Sequence, residues 1–158
     1  MTANGQTDNT PVFSIEKLYV KDASLEIPHA PQVFLERETP QIEIQLANGS
    51  ENVDQGVFQT TVTVTVTAKI PGKTLFLAEV RQAGIFRILN VPAEDMTPLL
   101  EITCPNILFP YAREMISDLV TRAGFPPVVL SPVNFEVLYH QRLQEAQAQA
   151  PTAPVTAQ

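Results

Sequence analysis

The sequence predicts an α+β fold, a four-stranded antiparallel sheet with helices packed on one face, and three observations carry that reading. Thr61, Thr63, Thr65 and Thr67 interleave with Val62, Val64 and Val66 in the strictest period-two pattern of the chain, which places threonine on one face of a strand and valine on the other. Pro71-Gly72-Lys73 is turn chemistry leading into a second β-rich run, Thr74 to Leu89, so the two runs should form an antiparallel hairpin. The period then changes. Between Asn106 and Ala123, Leu108, Ala112, Met115, Ile116, Leu119, Val120 and Ala123 recur at steps of three and four, and Gly124 and Pro126 supply the stop. Strands first and helices second define the α+β class.

The remaining elements follow in chain order. The first residues, 1–11, and the last, 145–158, are poor in large apolar side chains and cannot offset their ordering entropy by burial, so both are expected to be disordered tails around a single domain spanning 12–144. Phe13 to Glu26 mixes aromatic, β-branched and charged residues and reads as a partly exposed first strand. Pro28 and Pro31 break it, and Gln41 to Leu46 (QIEIQL) alternates cleanly as a second strand. Asn48 to Gly56 reads as a polar connector to the Thr/Val strand, and the four strands as a meander-like sheet. Ala93 to Ile102, interrupted by Pro98, is a short helical turn or a loop. Pro110 falls in the first turns of the helix from Asn106, where a missing amide donor costs least. Val128 to Val133 is extended and apolar, and Asn134 is placed to cap a last helix in which Phe135, Leu138, Tyr139 and Leu143 share a face.

Composition narrows the function classes. With 158 residues, 44% hydrophobic and 17% charged, the chain has apolar material for one domain. A net charge of −7 disfavours nucleic acid and anionic membrane surfaces as partners. The single cysteine, Cys104, permits no intrachain disulfide, and neither a secretory signal nor a membrane-length apolar run is visible, so a soluble cytoplasmic protein is expected. No catalytic constellation emerges: His29 and His140 lie far apart without ligand spacing, no phosphate-binding glycine motif is present, and Glu36 and Glu38 read as a solvated loop. Cys104 reads as a packed thiol. The expectation is a protein that is not an enzyme and has no cofactor or metal.

Apolar surface remains. Phe34, Phe86, Phe109, Tyr111, Phe135 and Tyr139, with Met96, are spread over strands, loops and helices; proline-rich aromatic segments suit the rigid walls of a groove, although any one of these side chains also suits a core. A sheet with helices on one face leaves its other face open. The strand from Thr74 splits by parity into Leu75, Leu77, Glu79 and Arg81 on one side and Phe76, Ala78, Val80 and Gln82 on the other, and burial on both sides is expected, one of them against a second subunit. Asp22 and Glu26 share parity on the first strand and lie roughly 13–14 Å apart as an acidic stripe, which suits ordinary solubilising charge as well as a basic partner.

The run CPNILFPYARE, from Cys104, resembles the central signature of the SecB protein-export chaperones, and LYVKDASLEIPHAP, EVRQAGIFRI and FPPVVLSPVNFEVLY are similar to further blocks of that family in order and spacing, from Val12 to Leu143. The resemblance implies a homotetramer, a dimer of dimers, that holds unfolded precursor proteins in apolar grooves in the cytosol and delivers them to the SecA motor ATPase, with no activity of its own. It assigns Asp22, Glu26, Leu77 and Glu79 to SecA docking and Ala78, Val80 and Gln82 to subunit contacts. It places the client groove between sheet, helices and the crossover after Phe34. The chain has Glu38 where many relatives carry tryptophan. Two other readings stand beside the export role: a SecB-like chaperone controlling a toxin–antitoxin pair, and a binding protein for a small apolar ligand.

Overall fold

Four long strands and a helical layer are described over residues 7–150 of a computed structural model. The strands are β1 (Val12–Glu26), β2 (Gln41–Asp54), β3 (Val57–Ile70) and β4 (Lys73–Leu89), with one 3-10 turn, Gln32–Leu35, between the first two. The helices are α1 (Ala93–Pro98), a single π-helical turn (Leu99–Thr103), α2 (Cys104–Arg122) and α3 (Phe135–Ala148). Residues 1–6 and 151–158 of the expected tails lie outside the described residues. Within them, α3 extends to Ala148, past the expected start of the C-terminal tail, and Asn90 Nδ2 donates to the carbonyls of Asp8 and Thr10 at 3.2 and 2.9 Å.

The strand order is β1-β4-β3-β2, all neighbours antiparallel, which replaces the expected meander. Pro28, Pro31 and Pro40 deny the connection a hairpin geometry, and residues 27–40 carry the chain to the far edge of the sheet, about 15 Å away at ordinary strand spacing. The result is a Greek-key arrangement. The polar stretch after Asn48 is strand rather than connector: β2 pairs with β3 until Asp54 meets Val57, and only Gln55 and Gly56, with φ of +69°, turn the chain. A strand at a sheet edge with an open face needs few apolar side chains.

Parity on β3 decides where the core sits. Val62, Val64 and Val66 are fully buried beneath α2, together with Ala78 and Val80 of β4, while the threonine face is open. α2 lays Cys104, Leu108, Ala112, Ile116 and Val120 on this surface. Gly84 marks the close approach: a Cβ there would stand 2.8 Å from the Phe86 ring and 3.0 Å from Leu108 Cδ2. Gly84→Ala is therefore expected to cost about 1–3 kcal/mol, read as a lower urea midpoint at unchanged slope.

The segment after Pro92 is helical and continuous with α2. In a regular helix the Pro105 ring would strike the carbonyl of Glu101. The chain widens instead, and the Cys104 amide donates to the carbonyl of Leu99, five residues back. That shift deprives the Leu100 carbonyl of its usual donor, and the residue five positions on, Pro105, has no N–H to give. Ser50 Oγ of β2 donates to it at 3.3 Å and sits 2.7 Å from Thr60 Oγ1.

Candidate functional site: an uncovered apolar strip and an open sheet face

The helical layer does not cover the whole of its side of the sheet. α2 packs on β3 and β4, and the β2 residues of the same face, Ile42, Ile44 and Leu46, paired with Ala68, Val66 and Val64, extend beyond it. Ile42 is 39% and Ile44 51% exposed. Leu130, Pro132 and Val133 of the extended segment before α3 wall this strip, and Phe109 and Val64 floor it, around a hollow of about 220 Å³. At its other end the row Ile42–Ala68–Phe76 leads to an aromatic ladder, with Phe125 4.9 Å from Phe76 and Phe34 5.4 Å from Phe125 between ring centroids. Gly124, at φ +89°, lets Phe34 close in: a Cβ there would meet Phe34 Cε1 at 3.2 Å. Pro126, Pro127 and Pro132 stiffen the wall. Beside this strip runs the backbone edge of β2, which pairs with no further strand among the described residues. An extended chain laid there meets both apolar side chains and unpaired amides and carbonyls.

The aromatics expected to line a groove divide into separate groups. Phe34 stands at the end of the strip, 49% exposed, and Phe109 forms its floor. Phe86 and Phe135 are core, at 0% and 1% exposure, so neither is available to a ligand; Phe86 stacks on Phe13 at 5.8 Å, and Phe135 meets Phe109 edge-on at 6.0 Å. Tyr111 faces a different hollow, toward Leu18, Val20 and Met115. Met96 on α1 and Tyr139 on α3 are half-buried, and neither lines the hollow of the strip. Ile42, Ile44, Leu46 and the Leu130–Val133 wall carry no aromatic signal; the alternation of QIEIQL and the run VVLSPV were their only marks.

On the opposite face the register gathers the expected docking residues. Asp22 lies across from Arg81, Ser24 from Glu79 and Glu26 from Leu77, and the same rows continue to Thr63, Thr65 and Thr67. Thr65 Oγ1 donates to Glu79 Oε2 at 3.0 Å, and Glu79 lies 3.5 Å from Arg81. The odd side of β4 is half-buried at Leu77 and Glu79 and exposed at Arg81 within the protomer, and its other side faces the core. Ala78, Val80 and Gln82, expected at a subunit contact, pair with Val66, Val64 and Val62 beneath α2 and are 0%, 0% and 3% exposed. They are interior to the protomer because their parity is that of the buried valines.

Cys104 sits at the start of α2, fully buried beside Thr60. Burial pushes its thiol up to about 11, and the Thr60 hydroxyl opposes this only in part. The fold thus favours the neutral thiol. That contribution is complete below the ordinary value of 9.0 and is lost as pH rises through about 11. Thiol reagents at pH 8 should leave the native protein unlabelled and label it fully in denaturant, as mass spectrometry would read. Among the described residues no cluster of histidine, cysteine and carboxylates stands at metal-binding geometry, and no helix is long and apolar enough to cross a membrane.

The family model described as preprotein translocase subunit SecB matches residues 6–146. The chain belongs to the SecB family. The protein-export protein SecB of Dechloromonas aromatica is 64% identical over 146 residues, covering 92% of this chain and 95% of that one. The SecB of Chromobacterium violaceum is 62% identical over 144 residues, 90% of this chain and 96% of its own, and that of Neisseria meningitidis serogroup B is 60% identical over 139 residues, 87% and 94%. Among solved structures, a Mycobacterium tuberculosis SecB-like chaperone in complex with a ChAD peptide from an antitoxin superimposes with a TM-score of 0.63 at 16% identity, over 77% of this chain and 91% of that one. That likeness shows a shared SecB-like fold, and the high-identity relatives make this chain a protein-export chaperone of the SecB family.

Proposed function

We propose that the chain works as a holdase: the strip of Ile42, Ile44 and Leu46 with its Phe34–Phe125 end takes extended apolar stretches of unfolded precursor proteins and keeps them competent for translocation. The observation that carries this reading is an apolar strip left uncovered beside a strand edge that pairs with no further strand among the described residues, in a SecB-family chain. One such strip is a weak site. A homotetramer, a dimer of dimers, multiplies it, so that separate stretches of one client bind together and avidity supplies the affinity. Fast-folding proteins bury their apolar segments before capture, and slow-folding precursors remain bound.

The acidic rows of the open face, Asp22, Glu26 and Glu79 with Leu77 beside Glu26, are the proposed dock for a basic segment of the SecA ATPase in the cytosol. Transfer to that motor would release the client, with no reaction performed by this chain. Light scattering of a refolding precursor tests the holdase. Suppression of aggregation near one tetramer per client supports it, and undiminished aggregation at that ratio refutes it.

A further inference from the structure

The open face carries cations as well as carboxylates, and they meet at one place. The register of β1 on β4 slips between Val20, opposite Gln82, and Asp22, opposite Arg81, so that Lys21 is an extra, bulged residue. In an unbroken strand Lys21 and Asp22 would point to opposite faces. Here Lys21 lines a hollow of about 310 Å³ on the open face, together with Arg81, Thr61, Thr63, Gln59 and Glu51. Lys21 makes no ion pair among the described residues, whereas Glu79 lies 3.5 Å from Arg81. Gln59 is 8% exposed, and its amide is oriented by its neighbours: the Tyr19 hydroxyl donates to Oε1, and Nε2 donates to Glu51 Oε1 at 2.8 Å. The second hydrogen of Nε2 has no acceptor among the described residues. Glu51, the one carboxylate of the hollow, accepts that amide bond, and the two cations leave the hollow net positive beside the acidic rows.

We infer that this hollow receives a carboxylate of the same partner segment whose basic residues dock on Asp22, Glu26 and Glu79, so that the face recognises a bipolar peptide rather than positive charge alone. The inference rests on the proposed role of the acidic rows. Arg81 lies four positions along β4 from Leu77, the neighbour of Glu26, which is about 13 Å at strand rise. A matching extended segment carries an aspartate or glutamate about four residues from its lysine. Like charges placed wrongly would repel, which fixes orientation on an otherwise flat sheet.

The test uses the full chain and two fluorescent lysine-rich peptides, identical except for a glutamate or a glutamine four residues from the central lysine, with anisotropy read at low salt. The wild type should bind the glutamate peptide about fivefold more tightly. Lys21→Gln with Arg81→Gln should abolish that preference and also tighten the glutamine peptide, because positive charge has left the face. The two outcomes move in opposite directions, which neither misfolding nor general weakening produces. Equal binding of the two peptides by the wild type, or a preference that survives in the double variant, overturns the inference. Glu26→Gln separates the two readings, because Glu26 lies opposite Leu77 and away from Arg81: it should weaken both peptides alike, and if it weakens neither while the preference persists, the acidic dock fails and the carboxylate hollow stands. Absence of binding by both peptides overturns both.

Discussion

Ile42→Asp with Ile44→Asp should lower client affinity by about tenfold to a hundredfold and abolish suppression of aggregation, with the fold retained. Ile42 and Ile44 each keep a substantial part of their surface exposed and offer it to whatever covers the strip. Losing two such contacts removes roughly 1 kcal/mol or more each, and a carboxylate pressed against an apolar client carries a further desolvation penalty. The stability effect is smaller. Aspartate on an exposed edge strand costs on the order of 0.5–1 kcal/mol through β propensity. Titration of a permanently unfolded, labelled precursor against each protein, beside thermal unfolding, separates the two effects. Wild-type client affinity in the double variant would move the client surface elsewhere.

Phe135→Ala should cost about 3–5 kcal/mol and release α3. Phe135 is the only fully buried residue of that helix, set edge-on against Phe109. Asn134 caps the helix through Val137 N–H at 3.1 Å, and Arg142 reaches Asn48 Oδ1 at 2.6 Å, but both contacts lie at the surface and neither replaces the buried ring. Hydrogen exchange should therefore show α3 amides losing protection in the variant while those of β3 and β4 keep theirs. Intact protection across α3 would place its anchor elsewhere. The same experiment bears on the strip, because the Leu130–Val133 wall leads directly into α3.

What was readable in the sequence followed from periodicity and local chemistry. The Thr/Val alternation placed β3 and its buried face, the three-four spacing placed α2, and Asn134 before an apolar turn identified a cap that the structure shows bonded. Pairing was less legible. Nothing local tells β1 that its neighbour is β4, because the choice depends on a crossover in which Val33 is buried and Phe34 meets Phe125, a residue far away in sequence. The helix around Pro98 and Pro105 was hidden for a related reason: proline reads as a breaker unless a wider turn and a donor from another strand compensate, and that donor, Ser50, comes from far away in sequence.

The candidate site shows the same division. Aromatic residues were the natural markers of a groove, yet large rings are also the most effective core filling, and Phe86 and Phe135 went inside. The accessible strip is built from isoleucine and leucine on an edge strand, which a sequence cannot distinguish from a covered strand until the helical layer is positioned. For Ala78, Val80 and Gln82, the cross-strand register with Val66, Val64 and Val62 was the missing information.

The strand order also bears on how the protomer is born. β2, β3 and β4 are joined by tight turns and can pair as they leave the ribosome, whereas Val12 finds its partner only when Leu89 has been made. During synthesis β1 therefore trails unpaired for most of the sheet's length, and the nascent chain spends that interval as the kind of unfinished polypeptide proposed as its own client.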